Sequence, residues 1–558
     1  MRVRVGAKSY VEREIDNGLV LRRPRRLGSG SNVPTGKPRR KHPSLRREVC
    51  GLDESRANRV FVRVDKVRKC HGLSMPRVLI DHHGGVSSAF VPPAPRPWRS
   101  SEARTFLTDV ASEFDGQSAQ TLDREIFRLV GAQERHVDEN CINLYAGTNM
   151  PNPRAARLLG STIGSRPNLG PPGDTYNRGM VNASALEVLC DGLLGSLFGA
   201  DFVETRVGSG SLANMYVYLA TCIPGDNILA FSDAAAGHVT HHRDGAAGYC
   251  GLITHDIAYD PQTMDVDLDR FALQVERISP KLVIVAGSMC LFPYSVAEVR
   301  AIADSVGAYV LYDAAHMGGL IAGGRFQAPL SEGAHVMTGS TYKSFGGPPS
   351  GMILTNDSTL AERLDSIAYP GFTANSDLAK TAALALATRD MHTYGREYAA
   401  MCVANAQALA AAFAEEGVDV HDVPGRSGHA DLNGGQPWTV SQHVALRAAS
   451  YGGGNTAAKL LERANLLCSS IGLPTETAGV VEAEANGIRL GTQELTRWGM
   501  EPEDMSTVAF LMASVLRGDA EPEQVRTDVI AFRRNFSYVH FVSGSNAAAA
   551  TPETAATE

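Results

Sequence analysis

Between about residues 183 and 355, short apolar runs bounded by Gly, Pro and Asp alternate with stretches of helical spacing. Helical "ALEVLCDGLLGSLFG" precedes the run "DFVETRV", and "NMYVYLATCI" precedes "DNILAFS". "KLVIVAGS", "EVRAIADSVG", "AYVLYDAAH" and "HVMTGS" follow in the same alternation. Strands and helices taking turns predict an α/β domain, a mostly parallel sheet with helices on both faces. In such sheets ligands bind beyond the carboxyl ends of the strands, so functional side chains are expected just after the apolar runs.

Around this block the pattern changes. "AFVPPAPRPWRSS" is Pro-rich, and the three- and four-residue spacing of "SEARTFLTDVASEFDGQSAQTLDREIFRLVGAQERHV" predicts helix. "INLYAGTNMPNPRAARLLGS" predicts a short strand, a turn and a helix. A long helix through "DLAKTAALALATRDMHTYGREYAAMCVANAQALAAAFAEEG" leads into an α+β mixture holding "TVSQHVALRAA" and "GIRLGTQELTRWG". The predicted order is a basic, Pro-rich disordered extension over 1–100, a helical N-terminal segment over 101–182, and a large domain over 183–414. A small C-terminal domain over 415–536 and a disordered tail over 537–558 complete it.

Charge sharpens one part of this picture. Residues 1–75 hold 20 Lys/Arg and 7 Asp/Glu, a net of +13, so the remainder of a chain with net charge −7 carries −20. The arm offers too little apolar surface to fold and is expected to be a disordered extension, with no nucleic-acid partner assigned to it. No run approaches the roughly 18 uninterrupted apolar residues of a membrane span, and the N-terminus has no apolar signal core. Nine cysteines without a C-x-x-C pair suit free thiols better than disulfides or a metal site. No metal or membrane is expected, and a cytoplasmic location is.

Four segments carry candidate chemistry. Lys343 in "TGSTYKSFGGPPSG" follows an apolar strand and precedes a Gly/Pro turn. There it can reach into a cleft, where desolvation turns an amine into a nucleophile toward an aldehyde; the alternative is a surface lysine. Asp313 in "YVLYDAAHMGG" ends an apolar run, where a carboxylate needs a cationic partner such as a protonated pyridine nitrogen; the alternative is a helix N-cap. Ser209, Gly210 and Ser211 in "RVGSGSLANMYVYLA" lead into a helix and make a phosphate seat. Arg489 in "NGIRLGTQELTRWG" is costly to bury unless it clamps an anion such as an amino-acid carboxylate, or joins an ion pair.

The order of these features, with "LFGADF", "SGSLAN", "IPGDNILAFS", "GHVTHH", "TYKSFGGPPSGMIL" and "GIRLGTQELTRWGMEPEDM", resembles the serine hydroxymethyltransferase family from about 183 to 536. The resemblance implies a pyridoxal-phosphate (PLP) enzyme of the aspartate-aminotransferase-like fold (fold type I), working as a homodimer or homotetramer on small molecules. It implies that Lys343 forms the Schiff base, Asp313 holds the ring nitrogen and His238 stacks on the ring. Ser288 and His316 then contact the 3'-oxygen region, and Ser209, Gly210, Ser211 and Ser340 belong to the cofactor site. Arg489 binds the substrate carboxylate, with His241 behind the first layer.

The departures lie elsewhere. Pro167 and Leu169 stand where the family carries a tyrosine and the glutamate that handles protons and touches folate. Asn177 replaces a second tyrosine, Tyr342 a histidine, Pro349 an arginine and Ile471 an asparagine, while "GFTAN" with Ala374 and Asn375 replaces a Gly-rich segment. These changes spare the cofactor machinery and remove the folate layer, since leucine neither carries a proton nor accepts a hydrogen bond. The function expected is cleavage and formation of the Cα–Cβ bond of β-hydroxy-α-amino acids, as in L-threonine transaldolases and aldolases that pass a glycine unit to an aldehyde. Folate-dependent serine or α-methylserine hydroxymethyl transfer is the alternative.

Overall fold

Aliphatic runs of three to five residues form the strands of the large sheet, and their burial follows their place in it. The computed structural model describes residues 90–423, 426, 438–474 and 485–544, all within the unit Gly84–Glu558. The basic arm, most of the 1–100 extension and the end of the expected tail lie outside the described residues.

In chain order the strands are β1 (Ile142–Asn143), β2 (Phe202–Glu204), β3 (Asn227–Ala230) and β4 (Ile253–Asp256), then the small β5 (Tyr259–Asp260) and β6 (Asp265–Val266). They continue with β7 (Leu282–Val285), β8 (Tyr309–Asp313), β9 (Val336–Ser340) and β10 (Gly351–Thr355). The main sheet has the order β2-β10-β9-β8-β7-β3-β4. From β9 to β4 every pairing is parallel, and β10 runs antiparallel to both β9 and β2. The central strands β7 and β9 are buried along their whole length, as a sheet covered on both faces requires. The β10 reversal follows from the short Gly/Pro turn after Lys343, too brief for a parallel crossover.

Two helices matter for the site. Gly210–Thr221 starts on Ser209, whose Oγ accepts from Leu212 N (3.2 Å). Val181–Phe198 is, by length and composition alone, apolar enough to cross a membrane. Its polar residues are engaged within the protein: Glu187 Oε2 accepts from Asn168 Nδ2 (2.6 Å) and Asp191 Oδ1 from Thr205 Oγ1 (2.9 Å). The helix Leu378–Glu415, capped by Asp377, packs against it and continues into the second core.

That second core surrounds β11 (His443–Arg447), β13 (Ser469–Ile471) and β14 (Gly487–Gly491), antiparallel in the order β11-β14-β13. The N-terminal segment joins it: β1 pairs in parallel with β12 (Leu466–Leu467). Residues 537–544, expected to belong to the tail, are instead packed against the protein. Val539 and Val542 are buried with Trp498, and Arg497, stacked over Tyr398 (4.3 Å), donates to Phe541 O (2.8 Å). Apolar residues at 536, 539 and 542 gave a helix-like spacing too short to stand out against the polar, alanine-rich stretch that follows.

Burying two valines is worth about 3 kcal/mol in total. A chain ended at 536 should therefore be less stable in urea unfolding than one ended at 544 by about that amount. Equal midpoints would mean that this segment only rests on the surface.

Candidate active site

β8 delivers Asp313 to the carboxyl edge of the sheet, and three groups hold it there. Its Oδ2 accepts from Asn214 Nδ2 (2.8 Å) and faces His241 Nε2 (3.0 Å), while Oδ1 accepts from Ala315 N (2.9 Å). His241 Nδ1 in turn lies 2.6 Å from the Tyr218 hydroxyl, so a phenol–imidazole–carboxylate chain runs inward from the site. Burial pushes the Asp313 carboxyl up, but the hydrogen bond and charge of His241 outweigh it and hold the group well below the usual carboxylate range. An anion is thus maintained at a strand end.

Lys343 follows β9 by three residues and is buried, with its Nζ 3.1 Å from His316 Nε2. Burial, assisted by the positive Arg489 and opposed by Asp313, brings its ammonium down to about 8. Arg489, on β14, reaches the same imidazole nitrogen: Nη1 lies 3.4 Å from His316 Nε2 and donates to Ser288 O (2.5 Å). Burial lowers the guanidinium to about 10, and its Nε has no hydrogen-bond partner among the described residues. His316 is held neutral, well below its ordinary value, by burial and by these two cations. With Nε2 facing two donors, its lone pair belongs there and its hydrogen on Nδ1, which also has no partner.

A cavity of about 60 Å³ joins Ser209, Gly210, Ser211, Asn214, His238, Asp313, Ala315, Ser340, Tyr342 and Lys343. At Gly210 a Cβ would run into the Ser340 hydroxyl, so the helix N-terminus and the end of β9 meet only because that position is glycine. His238, beside the cavity, accepts from Thr240 N through Nδ1 (3.3 Å); burial lowers it to about 4, so it is an uncharged ring. A larger cleft of about 500 Å³, lined by Glu187, Asp191, Glu204 and Arg206 among others, contains none of the candidate residues. The chemistry-bearing groups converge on the small cavity, and we take that as the site.

All ten candidate residues lie in or against this region. Sequence reasoning gave no role to Asn214, Tyr218 or Thr240. Asn214 sits one helical turn beyond Ser211, and that i+3 spacing was the available signal. Pro167 and Leu169 lie in a closed turn: Asn177 receives Leu169 N on Oδ1 (3.2 Å) and donates to Pro167 O (3.1 Å). Glu187 is buried between Asn168 and Ser376, and Asp174 is exposed on the outside of the turn.

The site can hold PLP. The orphaned Arg489 Nε and His316 Nδ1, the two cations that meet at His316, and the glycine-dependent cradle at a helix N-terminus all suit an anionic aldehyde cofactor and an anionic substrate.

Comparison with known proteins agrees with this geometry. The serine hydroxymethyltransferase family model matches residues 119–512. An α-methylserine aldolase of Ralstonia sp is 43% identical over 448 residues, covering 80% of this chain and 99% of that protein. A serine hydroxymethyltransferase of Methanopyrus kandleri is 38% identical over 427 residues, covering 76% and 97%. The solved structure of L-threonine transaldolase from Pseudomonas fluorescens, in its internal aldimine state, superposes with a TM-score of 0.66 at 26% identity, covering 77% and 94%. The chain belongs to the serine hydroxymethyltransferase family, and it is a fold-type-I, PLP-dependent enzyme.

Proposed function

We propose that this enzyme cleaves and forms the Cα–Cβ bond of β-hydroxy-α-amino acids without folate, passing a glycine unit to an aldehyde acceptor in the manner of an L-threonine transaldolase. The observation that carries the reading is the placing of Lys343 Nζ and Arg489 Nη1 at 3.1 and 3.4 Å from the same imidazole nitrogen. An amine nucleophile beside a carboxylate clamp fits an α-amino acid, whose own nitrogen and carboxylate share one carbon. Support for leaving folate out is the hydrogen-bonded turn at Pro167 and Leu169, which puts no acid or base at those two positions. The names of the α-methylserine aldolases favour a second substrate, the α-methylated amino acid, for the same bond cleavage.

Bound PLP supplies an electron sink for the negative charge left at the α-carbon. In our reading Lys343 would hold the cofactor through its aldehyde, Asp313 would keep its ring nitrogen protonated, and neutral His238 would pack against the ring. Ser209, Gly210, Ser211 and Ser340 would hold its phosphate, and Ser288 and His316 would serve the 3'-oxygen region. The His241–Tyr218 chain fixes the Asp313 carboxylate so that it need not reorganise as charge develops. Arg489 orients the substrate by its carboxylate, which decides which bond at the α-carbon is broken. We further propose a homodimer or homotetramer with "GFTAN" approaching the partner's site. Exposed apolar residues such as Val188, Leu189 and Phe372 support a covered surface.

Three outcomes are expected. With L-threonine the enzyme should release acetaldehyde and capture an added aldehyde as a new amino acid, and tetrahydrofolate should not stimulate serine cleavage. Folate-dependent turnover of serine or α-methylserine exceeding that of threonine would overturn the reading. Arg489→Ala should raise KM for the amino acid while PLP stays bound, at a cost of about 2–5 kcal/mol. An unchanged KM would make Arg489 structural. Because burial lowers the Lys343 ammonium, its free amine predominates above about pH 8. The rate at which apoenzyme takes up PLP should therefore rise with pH and level off above 8, whereas a midpoint near 10 would show an unburied lysine.

A further inference from the structure

We propose that Tyr145 is a substrate-contacting residue whose hydroxyl joins Arg489 in holding the carboxylate of the amino acid. The proposal rests on the reading of Arg489 given above and adds a residue to it. Hydrogen bonds on both sides fix where Tyr145 stands. Gly491 N donates to Leu144 O (2.8 Å), so the chain at 144–146 runs beside β14, two residues from Arg489. Gln493 Nε2 donates to Tyr145 O (3.2 Å) and Thr148 O (2.9 Å), which locks the turn. On the other side Asn149 Nδ2 donates to Ser344 O (3.3 Å), the residue after Lys343. The turn 145–149 therefore spans from the clamp to the amine.

The side chain folds back over this turn. A Cβ built on Gly147 would lie 2.6 Å from Tyr145 Cζ and 2.7 Å from its hydroxyl, so glycine at 147 leaves the ring its place. The ring is 39% exposed, and its hydroxyl has no hydrogen-bond partner among the described residues. Tyr145 is among the groups that act electrostatically on both Arg489 and Tyr342, so its side chain lies near the clamp and the cavity.

A carboxylate offers about four acceptor sites. On Arg489, Nη1 is taken by Ser288 O and Nη2 donates to Ser469 Oγ (3.2 Å), leaving Nε and the second Nη2 hydrogen for a side-on pair. That pair fills two sites and leaves the remainder for a further donor. A phenol donates there without adding a third positive charge to a cleft in which Arg489 already lowers Lys343.

The test is equilibrium binding to the holoenzyme, followed by the change in cofactor absorbance, with L-serine and with serinol, the achiral diol in which the carboxylate is reduced to an alcohol. Tyr145→Phe keeps the ring and removes only the hydroxyl, so folding is untouched. It should weaken L-serine about tenfold, the worth of one hydrogen bond to a charged acceptor, and leave serinol unchanged. Gly147→Ala, which displaces the ring, should do the same. Equal effects on both ligands, or none on either, would overturn the proposal. Arg489→Ala separates the two levels. If it too leaves the ratio of the ligands unchanged, the carboxylate lies elsewhere and the reading of Arg489 falls as well. If it lowers the ratio while Tyr145→Phe leaves the ratio unchanged, Tyr145 alone is excluded.

Discussion

Two cations and one carboxylate are buried in a single cleft, and much of the local architecture follows from that imbalance. Lys343 and Arg489 reach the same side of His316, while Asp313 is held as an anion from behind by Asn214, His241 and a backbone amide. A buried cation without a counter-charge is expensive, and evolution keeps such groups where a ligand supplies what is missing. PLP and an amino-acid carboxylate are both anionic, so the site as built is completed by its reactants.

The scaffold keeps these groups apart and in register. Parallel strands bring Asp313 and Lys343 to the same edge from β8 and β9, and the β10 reversal lets the turn after Lys343 close at once. Arg489 comes from a different core, on the central strand of the small sheet. The helix Leu378–Glu415 ties the two cores together. Arg489 and Lys343 can thus be positioned by separate packing constraints while meeting at one imidazole.

What was legible in the sequence were residues whose chemistry conflicts with their local pattern. Asp313 and Arg489 stand out because a charge in an apolar strand needs a reason, and Lys343 because it follows such a strand. The alternation of runs likewise predicted the parallel sheet. Residues whose role lies in distant partners were not legible. Asn214 looks like any polar residue inside a helix, yet it bridges Thr338 and Asp313. Tyr218 reads as core, and its hydroxyl finds His241 only through the fold. The pairing of β1 with the C-terminal β12 has no local signature, because it depends on where the chain returns.

The central claim is that Lys343, desolvated beside His316 and facing Asp313, is the residue that takes the cofactor. Borohydride reduction of the PLP-loaded enzyme, followed by peptide mapping in a mass spectrometer, tests it directly. The account predicts that the cofactor's added mass falls on the peptide containing Lys343 and is absent from Lys343→Ala. Finding it on another lysine of the wild-type protein would contradict the account.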